Sequence, residues 1–174
     1  REHHVGWAEG FGFRNNRGRA VLFGVLATFA VLPVAWLLQM GVAVLMDWFH
    51  FEPDAQTAVQ LLQDAPTWLD RVPLGFVAIV LAPPAEEVLF RGLMYPTIKR
   101  LGFPKLALWV TALVFAGVHW NVLSFPSLVL FALVLTWLFE KTDNLLAPIA
   151  AHALFNALNF VALQLYDYLP QHVR

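Results

Sequence analysis

The chain comprises 174 residues, 59% of them apolar and 13% charged, with seven Trp, fifteen Phe, a mean hydropathy of +0.63 and a formal net charge of −1. Globular averages are about 45–50% apolar and about 25% charged, so disorder and a coiled coil are excluded for the chain as a whole, and its charge offers no general basic surface for a nucleic acid. The composition is that of a membrane protein, and the lack of Cys removes disulfides, thiolate catalysis and cysteine zinc sites.

The first residue is Arg, as expected of a processed or trimmed piece, and no apolar segment with a small-residue cleavage site precedes Ala20, so no signal peptide is expected there. Residues 1–19 read as a basic cytoplasmic segment and 20–174 as one membrane-embedded domain. A helix needs about 20 mostly apolar residues to cross the hydrocarbon layer. Ala20 to Met46 meets this, interrupted only by Pro33 and Gln39. Asp47 to Arg71 follows as an interfacial loop or short helix. Pro73 to Ile98 reads as a span broken at Pro83-Pro84, carrying Glu86, Glu87 and Arg91. Lys105 to Leu123 is a third span with His119 near its end, Ser127 to Phe139 a shorter fourth, and Leu145 to Tyr166 a fifth that carries His152 and Asn156. The expected fold is all-α, a polytopic transmembrane helical bundle of about five spans with one proline-broken.

Basic connections mark the cytoplasmic side. With the N-terminus inside, eight of the eleven Lys and Arg residues fall inside, two outside, and Arg91 within the membrane. The connection after the first span holds Asp47, Glu52, Asp54, Asp64 and Asp70 against Arg71 alone.

Ionisable groups inside a membrane cost at least about 2.5–3.5 kcal/mol each at mid-helix, so Glu86, Glu87, Arg91, His119 and His152 require partners. Glu87 and Arg91 stand four apart in the favourable order for a helical ion pair. His152 and Asn156, also four apart, share a helix face and could simply hydrogen-bond a neighbouring helix. Glu86 points about 100° away from Glu87 around the helix and has no local partner. A carboxylate, imidazoles and an amide are the equipment for activating water and stabilising an oxyanion, which points to an intramembrane hydrolase. A proton relay or a non-catalytic scaffold would use the same polar groups differently.

Three motifs occur in order: Glu86-Glu87-Val88-Leu89-Phe90-Arg91 as EExxxR, Phe115-Ala116-Gly117-Val118-His119 as FxxxH, and His152-Ala153-Leu154-Phe155-Asn156 as HxxxN. With these spacings the chain resembles the CAAX-prenyl endopeptidase and bacteriocin-processing (CPBP/Abi) family of intramembrane proteases. The run Glu140 to Ile149 is similar to that family's bacterial members, and the resemblance extends over about residues 73–160. It implies Glu86 as general base, His119 as its partner on the attacking water, His152 and Asn156 as an oxyanion hole, and Glu87 with Arg91 as supports. It implies either a metal-independent glutamate protease, the preferred reading, or a metalloprotease in which Glu86, His119 and His152 hold Zn²⁺. The implied partners are the lipid bilayer and a peptide or membrane-protein substrate, lipidated or not, in a bacterial plasma membrane.

Counted along straight helices, Glu86 lies mid-membrane, His119 near the outer end, and His152 about 10 Å from the inner end. One shared site therefore demands short, tilted or broken helices.

Overall fold

The computed structural model describes residues 11–13, 16–51 and 57–168. Most of the expected basic segment 1–19 lies outside these residues, as do Glu52, Asp54 and Arg174. Six helices are described: α1 (Arg17–Trp48), α2 (Thr57–Asp64), α3 (Trp68–Arg100), α4 (Pro104–Gly117), α5 (Phe125–Thr142) and α6 (Leu146–Tyr168), and no strand occurs among the described residues. Helices α1, α3, α5 and α6 are long and apolar enough to cross a membrane. Their outward positions are apolar as well: Leu22, Leu26, Phe29, Leu37 and Met40 of α1 are all exposed. An apolar outer surface on a helix that also packs inward is the mark of a lipid-facing element. The protein is an integral membrane protein.

Helix α4 differs from the expected third span. It ends at Gly117 after 14 residues, about 21 Å at 1.5 Å per residue. The chain then turns at Trp120, whose φ of +48° is left-handed, a conformation costly for a residue with a Cβ. Asn121 completes the turn by accepting from Ser124 N and Ser124 Oγ, each at 2.9 Å, ahead of α5. Helix α5 in turn runs for 18 residues, longer than the expected Ser127 to Phe139. In the loop after the short α4, Asn121 and Ser124 are buried while Trp120 and Val122 are exposed.

The expected break at Pro83-Pro84 takes another form. Helix α3 opens with a capping box, in which Thr67 Oγ1 accepts from Asp70 N and Asp70 Oδ2 accepts from Thr67 N. It then runs without interruption but widens into π-helical turns at Val77–Leu81 and Val88–Met94. Each widened turn ends two residues before a proline, Pro83 and Pro96. Proline has no N–H to donate. The chain shifts to i→i−5 pairing just ahead of it, Ala82 N to Val77 O and Tyr95 N to Phe90 O, and so keeps its direction.

The core forms where α1, α4, α5 and α6 meet, around Phe115, Phe131, Leu135, Leu138 and a set of alanines. Small residues let α1 and α6 approach closely. A Cβ at Gly24 would lie 2.5 Å from Ala147 O, and Thr28 Oγ1 donates across to Ala151 O at 3.1 Å. Trp36 Nε1 donates to Asn159 Oδ1 at 3.0 Å further along the same pair. Between α5 and α6, Asp143 adopts φ +46° and the buried Asn144 Oδ1 accepts from Leu146 N at 2.9 Å. This is the physical content of the Glu140 to Ile149 run: a left-handed stop for one helix and a side-chain start for the next.

Candidate active site

The register of α6 against α1 places His152 directly after the Ala151 contact. There His152 Nδ1 donates to Glu87 Oε1 of α3 at 2.8 Å. The same Glu87 oxygen accepts from Arg91 Nη1 at 3.0 Å, and Arg91 Nη2 donates to Ala132 O of α5 at 3.0 Å. Glu87 and Arg91 are both 0% exposed. Three helices are therefore joined through one ion pair, the carboxylate reaching α6 and the guanidinium reaching α5, and pairing of the two charges is the condition for holding them in a low-dielectric interior.

Aromatic rings close this cluster. Phe115, the first residue of the FxxxH pattern, has its centroid 5.0 Å from the His119 ring, 5.6 Å from the His152 ring and 4.7 Å from Arg91 Cζ. Phe131 packs edge-on to His152 from the other side at 5.6 Å and stacks on Phe155 at 4.1 Å. His152 is thus fixed in orientation by two rings and a carboxylate.

Glu86, one residue before the buried pair, faces a cavity of about 650 Å³. Its side chain is 30% exposed, yet Oε2 is buried and accepts no hydrogen bond. His152 Nε2 lies 3.8 Å from that oxygen, beyond hydrogen-bond length and within the span of a bridging molecule. His119 and Asn156 line the same cavity. His119 Nδ1 donates to Phe115 O at 2.7 Å; a carbonyl can only accept, so in the neutral ring Nε2 carries the lone pair. Asn156 Nδ2 donates to Ala78 O at 2.8 Å. Ala78 lies in the first widened turn of α3, where Pro83 has no hydrogen to offer its carbonyl. The other Asn156 N–H is left to serve the cavity.

All four residues proposed from the sequence as catalytic therefore share one cavity. The depth conflict among them is resolved by the short α4, which carries His119 inward. Among the described residues, no three His, Cys, Asp or Glu side chains stand together in a way that could hold a metal ion. The Glu86, His119 and His152 set is not gathered as zinc ligation requires.

The Glu87–His152 contact had no signature in the sequence, since nothing in residue spacing pairs one helix with another. The cavity wall also includes Gln39 of α1, which donates to Ser127 Oγ at 3.2 Å, and Asn121 and Ser124. A lone amide in an otherwise apolar span was the available signal for Gln39.

A family model described as "Type II CAAX prenyl endopeptidase Rce1-like" matches residues 67–158, more than half of the chain. Two curated proteins of Lactococcus lactis subsp. lactis (strain IL1403) are similar in sequence. UPF0177 protein YaiF is 33% identical over 94 residues, covering 51% of this chain and 40% of its own length. UPF0177 protein YxdF is 28% identical over 96 residues, covering 53% and 51%. The matches thus span about half or less of these relatives. No solved structure matches.

Proposed function

The chain belongs to the Rce1-like family of type II CAAX prenyl endopeptidases, and on that premise we propose that it is an intramembrane endopeptidase that hydrolyses a peptide bond with water activated by Glu86 and His119. The observation that carries this reading is the buried, unpartnered Oε2 of Glu86 on a cavity shared with two imidazoles and an amide. A carboxylate oxygen held without a donor is available to accept one from water.

The steps follow from the donors and acceptors. A water gives one hydrogen bond to Glu86 and one to the Nε2 lone pair of His119, turning its own lone pair toward the substrate carbonyl carbon. Glu86 takes a proton as the O–C bond forms. The developing oxyanion is met by the second Asn156 N–H and by Nε2–H of His152. Because His152 Nδ1 donates to Glu87, donation from Nε2 in this scheme uses the ring with both nitrogens carrying hydrogen. Collapse of the intermediate breaks the C–N bond. Glu86 passes its proton to the leaving nitrogen and returns to the carboxylate. Glu87 and Arg91 touch neither water nor substrate in this scheme; they position His152.

Purified protein in detergent, given an internally quenched apolar peptide, tests the reading. Wild type should cleave it, while Glu86→Gln and His119→Ala should not. Equal cleavage by wild type and Glu86→Gln overturns the assignment.

A further inference from the structure

The residues lining the cavity extend from Glu86 and His152 toward one end of the bundle. The cavity's polar floor is Glu86 and His152, and its walls extend from there to Leu62 of α2 and to Asn121 and Leu123 of the loop before α5. These outer residues all lie at the end of the bundle where α1 and α6 finish and α3 begins. The other end is plugged. Phe90, Arg91, Ala132, Leu138 and Leu145 form a buried layer beneath the site. The Phe11 ring seals it further by lying against Gly92, where a Cβ would stand 2.7 Å from the ring, and Phe11 O accepts from Leu145 N at 3.0 Å.

Charge separates the same two ends. At the plugged end lie Arg17, Arg19, Lys99, Arg100, Lys105 and Lys141, against Glu140 and Asp143. At the open end lie Asp47, Asp64 and Asp70 with Arg71. Exposed aromatics ring the open end too: Trp48, Phe49 and Trp68, and Trp120 at 92% exposure beside His119. Trp at that density marks the level of the lipid headgroups, and Lys and Arg collect on the cytoplasmic side.

We infer that the site opens away from the cytoplasm, and that its substrate is an apolar peptide segment of an exported or membrane-anchored polypeptide, presented at the extracytoplasmic face of the bilayer. This rests on the endopeptidase reading above for the nature of the reaction, but its sidedness stands on the cavity and the charges alone. A prenylated C-terminus in the cytoplasm would meet the basic end, separated from Glu86 by the buried layer beneath the site. The Trp120 turn brings this aromatic to the mouth while aiming His119 and Asn121 on either side of it into the cavity. The mouth thus sits at headgroup level, where a segment leaving the bilayer becomes extended and open to attack.

The chain has no Cys, so single cysteines report sidedness without background. Val122→Cys, at the mouth, should react with a membrane-impermeant maleimide in intact cells. Leu101→Cys, at the basic end, should react only after permeabilisation. The reverse pattern overturns the inference. Trp48→Cys and Phe103→Cys repeat the comparison at the same two ends should either first variant fail to insert. In a second arm, an apolar peptide is added to sealed vesicles of each orientation. Right-side-out vesicles should cleave it, and inverted vesicles only after detergent. Cleavage confined to inverted vesicles overturns the inference. No cleavage even in detergent contradicts the endopeptidase reading, while the labelling still decides the side.

Discussion

His152 Nδ1 and Glu87 Oε1 lie 2.8 Å apart across α6 and α3, and that same carboxylate oxygen accepts from Arg91 Nη1 at 3.0 Å. The contact decides which imidazole nitrogen is left for the cavity. In the proposed scheme it also makes the second glutamate of the EExxxR motif a positioning group rather than a spare base.

Removing Arg91 should therefore harm both stability and chemistry. Arg91→Ala leaves Glu87 charged and buried with one partner fewer, a loss of about 3–5 kcal/mol by analogy with other broken buried pairs. Thermal unfolding in detergent should show a lower midpoint, and activity should fall with it. An unchanged midpoint would mean the pair does not hold the helices together.

Phe115→Ala should be similarly costly, by about 3–5 kcal/mol, because this fully buried ring touches His119, His152 and Arg91 at once. Phe115→Leu fills most of the space and should recover most of the stability. It removes the edge contacts that orient the imidazoles, so kcat should stay reduced while the unfolding midpoint returns toward wild type.

Asn156 serves two acceptors in the proposed scheme, Ala78 O and the oxyanion. Asn156→Ala should lower kcat by about 10²–10³ with a smaller change in KM. Asn156→Asp should be no better, since a carboxylate cannot donate to Ala78 O. Wild-type turnover in either variant would remove Asn156 from the oxyanion site.

Gly24 sits on the helix pair that sets the position of His152. A Cβ there would lie 2.5 Å from Ala147 O, a backbone atom that cannot swing aside. Gly24→Ala should force α6 away from α1, lowering the unfolding midpoint and displacing His152, even though residue 24 is remote from the cavity. Activity and midpoint equal to wild type would show that the helices separate without moving the site.

Because the histidines and Glu86 are not assembled as a three-ligand set, exhaustive chelation of purified protein should leave cleavage intact. Loss of activity that zinc restores would place a metal in the reaction.

The chain composition and apolar runs made the helical membrane fold legible, and the three spaced motifs contained the four residues that line one cavity. What they could not convey was contact between helices. Glu87 and Arg91 were readable as a pair because four residues on one helix bring side chains together; His152 joins them only through packing of α6, which depends on Gly24 and Thr28 in a span with no motif at all. Hydropathy also carried the third span past Gly117 to Leu123, because the apolar residues of the turn after α4 look like those of a continuing helix. Pro83 signalled a departure from regular helix correctly, but spacing does not distinguish a break from a widened turn that passes the proline and continues.

The most direct test of the central claim compares newly formed peptide termini in membranes from cells making wild-type protein or Glu86→Gln at equal levels. The account predicts termini that are present with wild type, absent with the variant, and located in apolar segments. A set of termini identical in the two membranes, with both proteins correctly inserted, would contradict Glu86 as the base that activates water.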